Sequence, residues 1–519
     1  NVTGVQTCAL PISSATATSS KAGCFASEFT SDSACPAPPM LACRSVVWAA
    51  LLLVITKGAT AAALATDCKK RRRFIDMRGS ISYLTYLSYL SYPSYLSYSV
   101  SVFPKHLLLV RQHFPDLALS DVAAETRAQL DRAGLARQLK PGARVAVGVG
   151  SRGIANLATI VETVVRYWRD RGMQPFLFPA MGSHGAATAE GQADVLARFG
   201  ITEATMGCPV VSRVDVVSLG RTEDGIEVFM DAQAHASDGV MIVGRVKWHT
   251  NFAGRIESGL MKMMAIGLGK FAGAQRYHTH AQRLGMEHVI RTAGRVVLAS
   301  GKMIGGVAIL EDAHHRTAKI DVVPASEIEA RDEANLALVK TWMPRLPCDL
   351  DVLVVDEMGK NISGTGMDAK VVNRGDGCEY NPWPGVPKVR RIFPRALDPR
   401  THGNAVGVGM ADVTTDRLVA AIDWAPTRIN ALSSGITSRI RVPAHFATDR
   451  ECLDWVAATA GRIEPADVTF GWIKNTLELD RVALSPNLRN VIEQTEVVTI
   501  EEEIATEWDA GGNLVSPFA

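Results

Sequence analysis

Ala143-Arg144-Val145-Ala146-Val147-Gly148-Val149-Gly150-Ser151-Arg152-Gly153 is the stretch that decides the architecture. It follows Pro141-Gly142, a turn signal, and its first half is a short, almost uninterrupted apolar run of the kind a buried strand needs. Beyond it, Leu157, Ile160, Val161, Val164, Val165 and Trp168 recur at the spacing of one helical face, and Gly172 offers a stop. Pro175 to Ala180 reads as the next strand, and Thr188 can cap a helix running to Gly200. Strand, helix, strand, helix at this spacing predicts a parallel sheet with right-handed crossovers.

Working outward, further strands are expected at Ile226–Met230, Gly239–Val243, Arg295–Leu298, Gly306–Leu310 and Leu350–Val355. Helices are expected near Glu257–Ile266 and Ser326–Thr341. Leu350 begins a second α/β pattern after the Pro344/Pro347 break, so a boundary falls between residues 280 and 345. The expected fold is α/β: two α/β domains with mostly parallel sheets, residues 103–300 and 301–519, and an active-site cleft between them. No solenoid-length repeat interrupts this scheme.

The 519 residues are 47% apolar and 21% charged with a formal net charge of +2, an ordinary globular composition with no basic stripe after residue 105. Nucleic-acid binding is not indicated, because phosphate neutralisation needs clustered cations. Nine cysteines form no CxxC pair, which argues against a structural zinc or cluster site and fits a reduced cytoplasm. Residues 1–102 have a different character. Asn1–Ile12 resembles a translated sequencing adapter, and tyrosine recurs every third position from Tyr83 to Tyr98, a period that belongs to neither helix nor strand. The apolar run Val46–Ile55 is too short to span a bilayer, and Lys69–Arg73 is a basic cluster. We read this whole segment as spurious translation, and discount the signal-peptide and membrane readings that it mimics.

Gly148-x-Gly150-x-x-Gly153 lies after a strand and before a helix, the setting of a dinucleotide loop. The acid that would bind a ribose is missing, since the following strand ends Phe176-Leu177-Phe178-Pro179-Ala180-Met181. Backbone N–H groups there, with Arg152, would suit a carboxylate or phosphate. His184, in Met181-Gly182-Ser183-His184-Gly185, falls at the carboxyl end of a strand, where α/β sheets bind ligands. His249 also closely follows a strand. Lys262, in Ser258-Gly259-Leu260-Met261-Lys262-Met263-Met264, stands alone in an apolar stretch, where burial disfavours the ammonium form. His278 and His280 alternate as strand or loop neighbours would, whereas His314-His315 reads as surface.

Gly150-Ser151-Arg152-Gly153, Pro179–Gly185, His249 with Phe252-Ala253-Gly254, Ser258-Gly259, Lys262 and His278 occur in this order and at similar spacings in the lactate racemase superfamily, which residues 104–519 resemble. The resemblance implies a 2-hydroxyacid racemase or epimerase, an isomerase that uses a nickel-pincer nucleotide. It implies that Lys262 tethers the cofactor, that His278 ligates nickel (His280 being the other candidate), and that His184 and His249 are the acid–base pair. Arg152 would hold the substrate carboxylate, and Lys360 is the candidate second-domain cation. The implied partners are a small 2-hydroxy acid and cofactor-biosynthesis proteins, in the cytoplasm. Val149 replaces the acid expected at the start of the Arg152 loop, and the stretch between His249 and Lys262 is longer than usual, which leaves the substrate open. Two rival readings remain: an NAD(P)-dependent oxidoreductase using the 148–153 loop, and a non-catalytic α/β ligand-binding protein.

Overall fold

The computed structural model describes residues 102–518, apart from Arg152, Asn251 and Asp376. The readings made on the amino-terminal segment and on Arg152 therefore lie outside the described residues. The strands are β1 (His106–Gln112), β2 (Arg144–Val149), β3 (Gln174–Pro179), β4 (Val216–Arg221), β5 (Glu227–Asp231), β6 (Gly239–Val246), β7 (Met303–Glu311) and β8 (Thr317–Pro324). They continue with β9 (Leu350–Met358), β10 (Val389–Leu397), β11 (Val413–Thr415), β12 (Ala444–Phe446), β13 (Phe470–Ile473), β14 (Arg481–Leu484) and β15 (Val498–Ala505).

The first sheet has the order β3-β2-β6-β7-β8. β2 pairs in parallel with β3 and β6, and β6 with β7; only β8 runs antiparallel, as a hairpin on β7. The apolar run of β2 divides as strand periodicity requires. Val145, Val147 and Val149 enter one buried cluster with the Leu157–Arg169 helix, and Ala146 enters the cluster on the other face. Leu157, Ile160, Val161, Val164, Val165 and Trp168 are all buried, so the stripe read from the sequence is the packed face of that helix. β4 and β5 form a separate hairpin, and β11 and β12 a small parallel pair.

The second sheet has the order β10-β9-β13-β14-β1-β15 and is mixed: β10, β9 and β13 are parallel, and the remaining pairs are antiparallel. Its membership corrects a division at residue 300. β7 and β8 lie beyond that point yet complete the first sheet, while β1 belongs to the second. The Ile328–Trp342 helix still packs on the first core through Ile328, Leu336 and Val339, so the chain changes lobes between it and β9.

Two local readings are also corrected. Arg295–Leu298 lies in the Met286–Ala299 helix, because a short apolar run does not distinguish a strand from a buried helical face. His278 and His280 are on the Lys270–Leu284 helix and not on a strand or loop. No helix of the described residues is long and apolar enough to cross a membrane.

Candidate functional site

Of the side chains singled out by sequence, His184 and His249 follow the carboxyl ends of β3 and β6, and Lys262 and His278 lie on the helical segments after β6. Past β3, Gly182 takes a left-handed φ of 61°, and a side chain there would meet Ile266 Cγ2 at 2.9 Å. That close approach seats the turn carrying His184 against the segment just beyond Lys262. The Ser151 hydroxyl, at the end of β2, shares a hydrogen bond with His184 Nδ1. Gln192 Nε2 donates to the carbonyl oxygens of Gly182 at 2.9 Å and His184 at 3.3 Å, fixing the turn from behind.

Lys262 ends a single α-helical turn, Gly259–Lys262, which widens into a π-helical turn over Met263–Gly267. Such widened turns are rare and concentrate at functional sites. Met263 is wedged against β6, where a Cβ on Gly244 would lie 1.9 Å from its sulfur, so only glycine permits this packing. Asp332, on the Ile328–Trp342 helix, accepts from Met261 N–H at 2.6 Å and holds the start of the Lys262 turn. Burial pushes the Asp332 carboxyl up to about 7, a rise that the Met261 and Leu260 N–H groups only partly offset.

Phe252 links two of the candidates. Its ring centroid lies 4.4 Å from that of His249, at an interplanar angle of 31°, and the Lys262 ammonium lies 5.9 Å from the same ring. His278 feels Lys262 as well. Desolvation first, and then the Lys262 charge, hold the His278 imidazole below the usual histidine range, although the residue as a whole is exposed. The neutral ring, with a lone pair to donate, is the form favoured there.

The His249 turn rests on a charge cluster that sequence reasoning missed. Glu257 is fully buried and accepts from His249 N–H at 2.7 Å and Gly254 N–H at 3.1 Å. Its two oxygens pair with Lys340 and Lys370, each at 2.5 Å. Lys370 reaches in from the second lobe and also donates to Phe252 O at 3.1 Å. Glu257 lies five residues before Lys262, too far for a helical i,i+4 pair, and its lysine partners are remote in sequence.

Lys360 follows β9, donates its ammonium to Asn430 Oδ1, and has its N–H on Thr401 Oγ1 at 3.0 Å, contacts within the second lobe. Asn430 lies on the Trp424–Ser434 helix, and Gly435 just past it abuts Gln282, one turn beyond His278. His280 lies on the same helix as His278, and His314 and His315 are exposed, as read.

The glycine loop does not offer a pyrophosphate its usual seat. Glu311, at the end of β7, accepts from Ala155 N–H at 2.8 Å just before the Leu157–Arg169 helix and pairs with Arg245 at 2.5 Å. That N–H is already taken by a carboxylate and is not open to a phosphate, which disfavours the dinucleotide reading. Two surface cavities, of about 340 and 330 Å³, open at the amino-terminal ends of β2/β3 and β9/β10. Neither is lined by any of the candidate residues, so the side-chain chemistry, and not cavity volume, locates the site. Among the described residues, no three His, Cys, Asp or Glu side chains converge as a metal site.

No family model matches the sequence, and no curated protein is similar to it. Among solved structures, the chain is similar to the lactate racemase apoprotein from Thermoanaerobacterium thermosaccharolyticum. The identity is 10% and the TM-score 0.40, over 66% of this chain and 87% of that one. So slight an overlap has no bearing on activity.

Proposed function

We propose that this chain is a racemase or epimerase acting at C2 of a 2-hydroxycarboxylic acid, with a nickel-pincer nucleotide tethered to Lys262 and His278 as a nickel ligand. The observation that carries the reading is that the Lys262 ammonium lies over Phe252, which stacks on His249, and that its charge also lowers the His278 imidazole. The residues suit the group. A half-buried amine in an apolar turn is a candidate for covalent attachment, and a neutral imidazole is a competent nitrogen ligand for nickel. A metal that brings sulfur and carbon ligands with its organic carrier needs little more than one protein donor.

When bound, this cofactor supplies a reversible hydride acceptor for the C2 hydrogen. His184 and His249 move the proton of the substrate hydroxyl at a ring nitrogen. Two bases serve because the hydroxyl changes side when C2 inverts, and imidazole titrates near the working pH. The hydrogen bond shared with Ser151 fixes one nitrogen of His184 and with it the plane of the ring. Phe252 limits the tilt of the His249 ring. Arg152 is the proposed carboxylate clamp, and Lys360 a proposed cation from the second lobe.

The test is co-expression with the cofactor-biosynthesis proteins, followed by nickel analysis, peptide mass at Lys262, and chiral analysis of single enantiomers of lactate, malate and phenyllactate. The reading expects a mass adduct on Lys262, nickel bound to the protein, and scrambling of one of these acids. Lys262→Ala should lose adduct and nickel together, and His278→Ala should keep the adduct and lose nickel. An unmodified Lys262 in protein made alongside an active pathway overturns it.

A further inference from the structure

Lys270 is the most deeply buried lysine near the site, with 1% of its surface exposed, and it carries a left-handed φ of 53°. Buried charge and non-glycine left-handed backbone are each unfavourable, so their coincidence at one residue needs a compensating arrangement. Two acceptors and a counter-charge surround the ammonium: Pro179 O at 2.6 Å, Gln192 Oε1 at 3.2 Å, and Asp231 Oδ2, ion-paired at 3.1 Å. Asp231 is itself 1% exposed, and its other oxygen accepts from Gln233 and Ala234 N–H at 2.8 and 2.9 Å.

The network also forces the orientation of Gln192. Lysine only donates and peptide carbonyls only accept, so Oε1 must face Lys270 and Nε2 must face the Gly182 and His184 carbonyls. One ammonium thus grips the end of β3 directly and the turn beyond it through a fully buried amide. The same residue begins the helix that carries His278, three residues past the end of the π-helical turn that follows Lys262.

We infer that Lys270 and Gln192 are positioning residues that hold the His184 turn in register with the Lys262–His278 segment. Neither is placed to touch a substrate; they act through the backbone of Gly182 and His184. The kinetic consequence rests on the reading of His184 as a proton-transfer group, whereas the structural consequence does not.

The test uses the full-length protein with histidine ring nitrogens labelled, and the His184 and His249 signals assigned by single replacement. Gln192→Glu keeps size and shape, and can still accept from Lys270, but has no amide proton for the two carbonyls. Gln192→Leu removes both polar functions, and Lys270→Met removes the ammonium. We expect Gln192→Glu to displace the His184 ring signals and their titration while His249 is unchanged. In cofactor-loaded protein, kcat should fall about 10²-fold with KM nearly constant, as for a reacting group displaced by about 1 Å. If Lys270→Met does not fold, Gln192→Glu and Gln192→Leu still decide the matter. His184 signals in Gln192→Glu that superimpose on the parent protein, or equal movement of His249, overturn the inference. A loaded protein with no racemase activity but with the selective His184 shift rejects the proposed reaction and leaves the positioning role standing.

Discussion

The turns that carry His184 and His249 are held by opposite electrical means. Behind His184, a buried cation, Lys270, is surrounded by acceptors and works through Gln192 on peptide carbonyls. Behind His249, a buried anion, Glu257, is surrounded by lysines and works directly on peptide N–H groups. The first support lies wholly within the first lobe. The second includes Lys370, which comes from the other lobe. The difference teaches that one histidine turn is a property of a single lobe, while the other depends on two lobes being in contact.

The largest blow to this contrast is Glu257→Gln, which leaves two lysines facing a neutral amide. Removing one partner of a buried ion pair costs about 3–5 kcal/mol, a loss that urea unfolding reads directly. Lys370→Met is gentler, because Lys340 still balances Glu257. We expect about 1–3 kcal/mol of destabilisation. Amide exchange should rise over His249–Gly254 and stay level over Gly182–Gly185; equal acceleration of both turns would erase the contrast.

Asp332 sharpens the comparison through pH. It keeps its proton in the folded protein up to about 7, whereas a free aspartate gives it up near the ordinary value of 3.8. Over that interval the native state binds more protons than the unfolded chain, so raising the pH lowers stability. Urea midpoints at about pH 4.5 and about pH 8 should therefore differ less in Asp332→Asn than in the parent. The smallest expected effect is that of Ser151→Ala, about 1 kcal/mol for one hydrogen bond, seen best as a changed His184 ring titration with His249 unmoved.

The first sheet was legible from sequence because its signals are local. An apolar run after Pro141-Gly142 and a stripe from Leu157 to Trp168 each announce their own geometry. The second lobe was legible only in part, since β1 reaches it from the far end of the chain and no periodicity encodes that partner. The same limit applies to the site. His184, His249, Lys262 and His278 sit in distinctive short contexts, but Glu257 meets Lys370 across 113 residues, and nothing near either one signals it. Lys270 is different. The reasoning that singled out Lys262, a lone lysine among apolar and small residues, applies equally to Gly267-Leu268-Gly269-Lys270-Phe271-Ala272-Gly273 and would have found it.

The insertion of β1 between β14 and β15 sets an order of assembly. Leu108 pairs with Leu484 and His106 with Ala505, so β1 has no strand neighbours until β14 and β15 have been made. The β3-β2-β6-β7-β8 sheet, by contrast, has all its strands once Pro324 has emerged. Synthesis therefore completes the strands of one sheet while an apolar ribbon, Leu107-Leu108-Leu109-Val110, still lacks the partners that bury it.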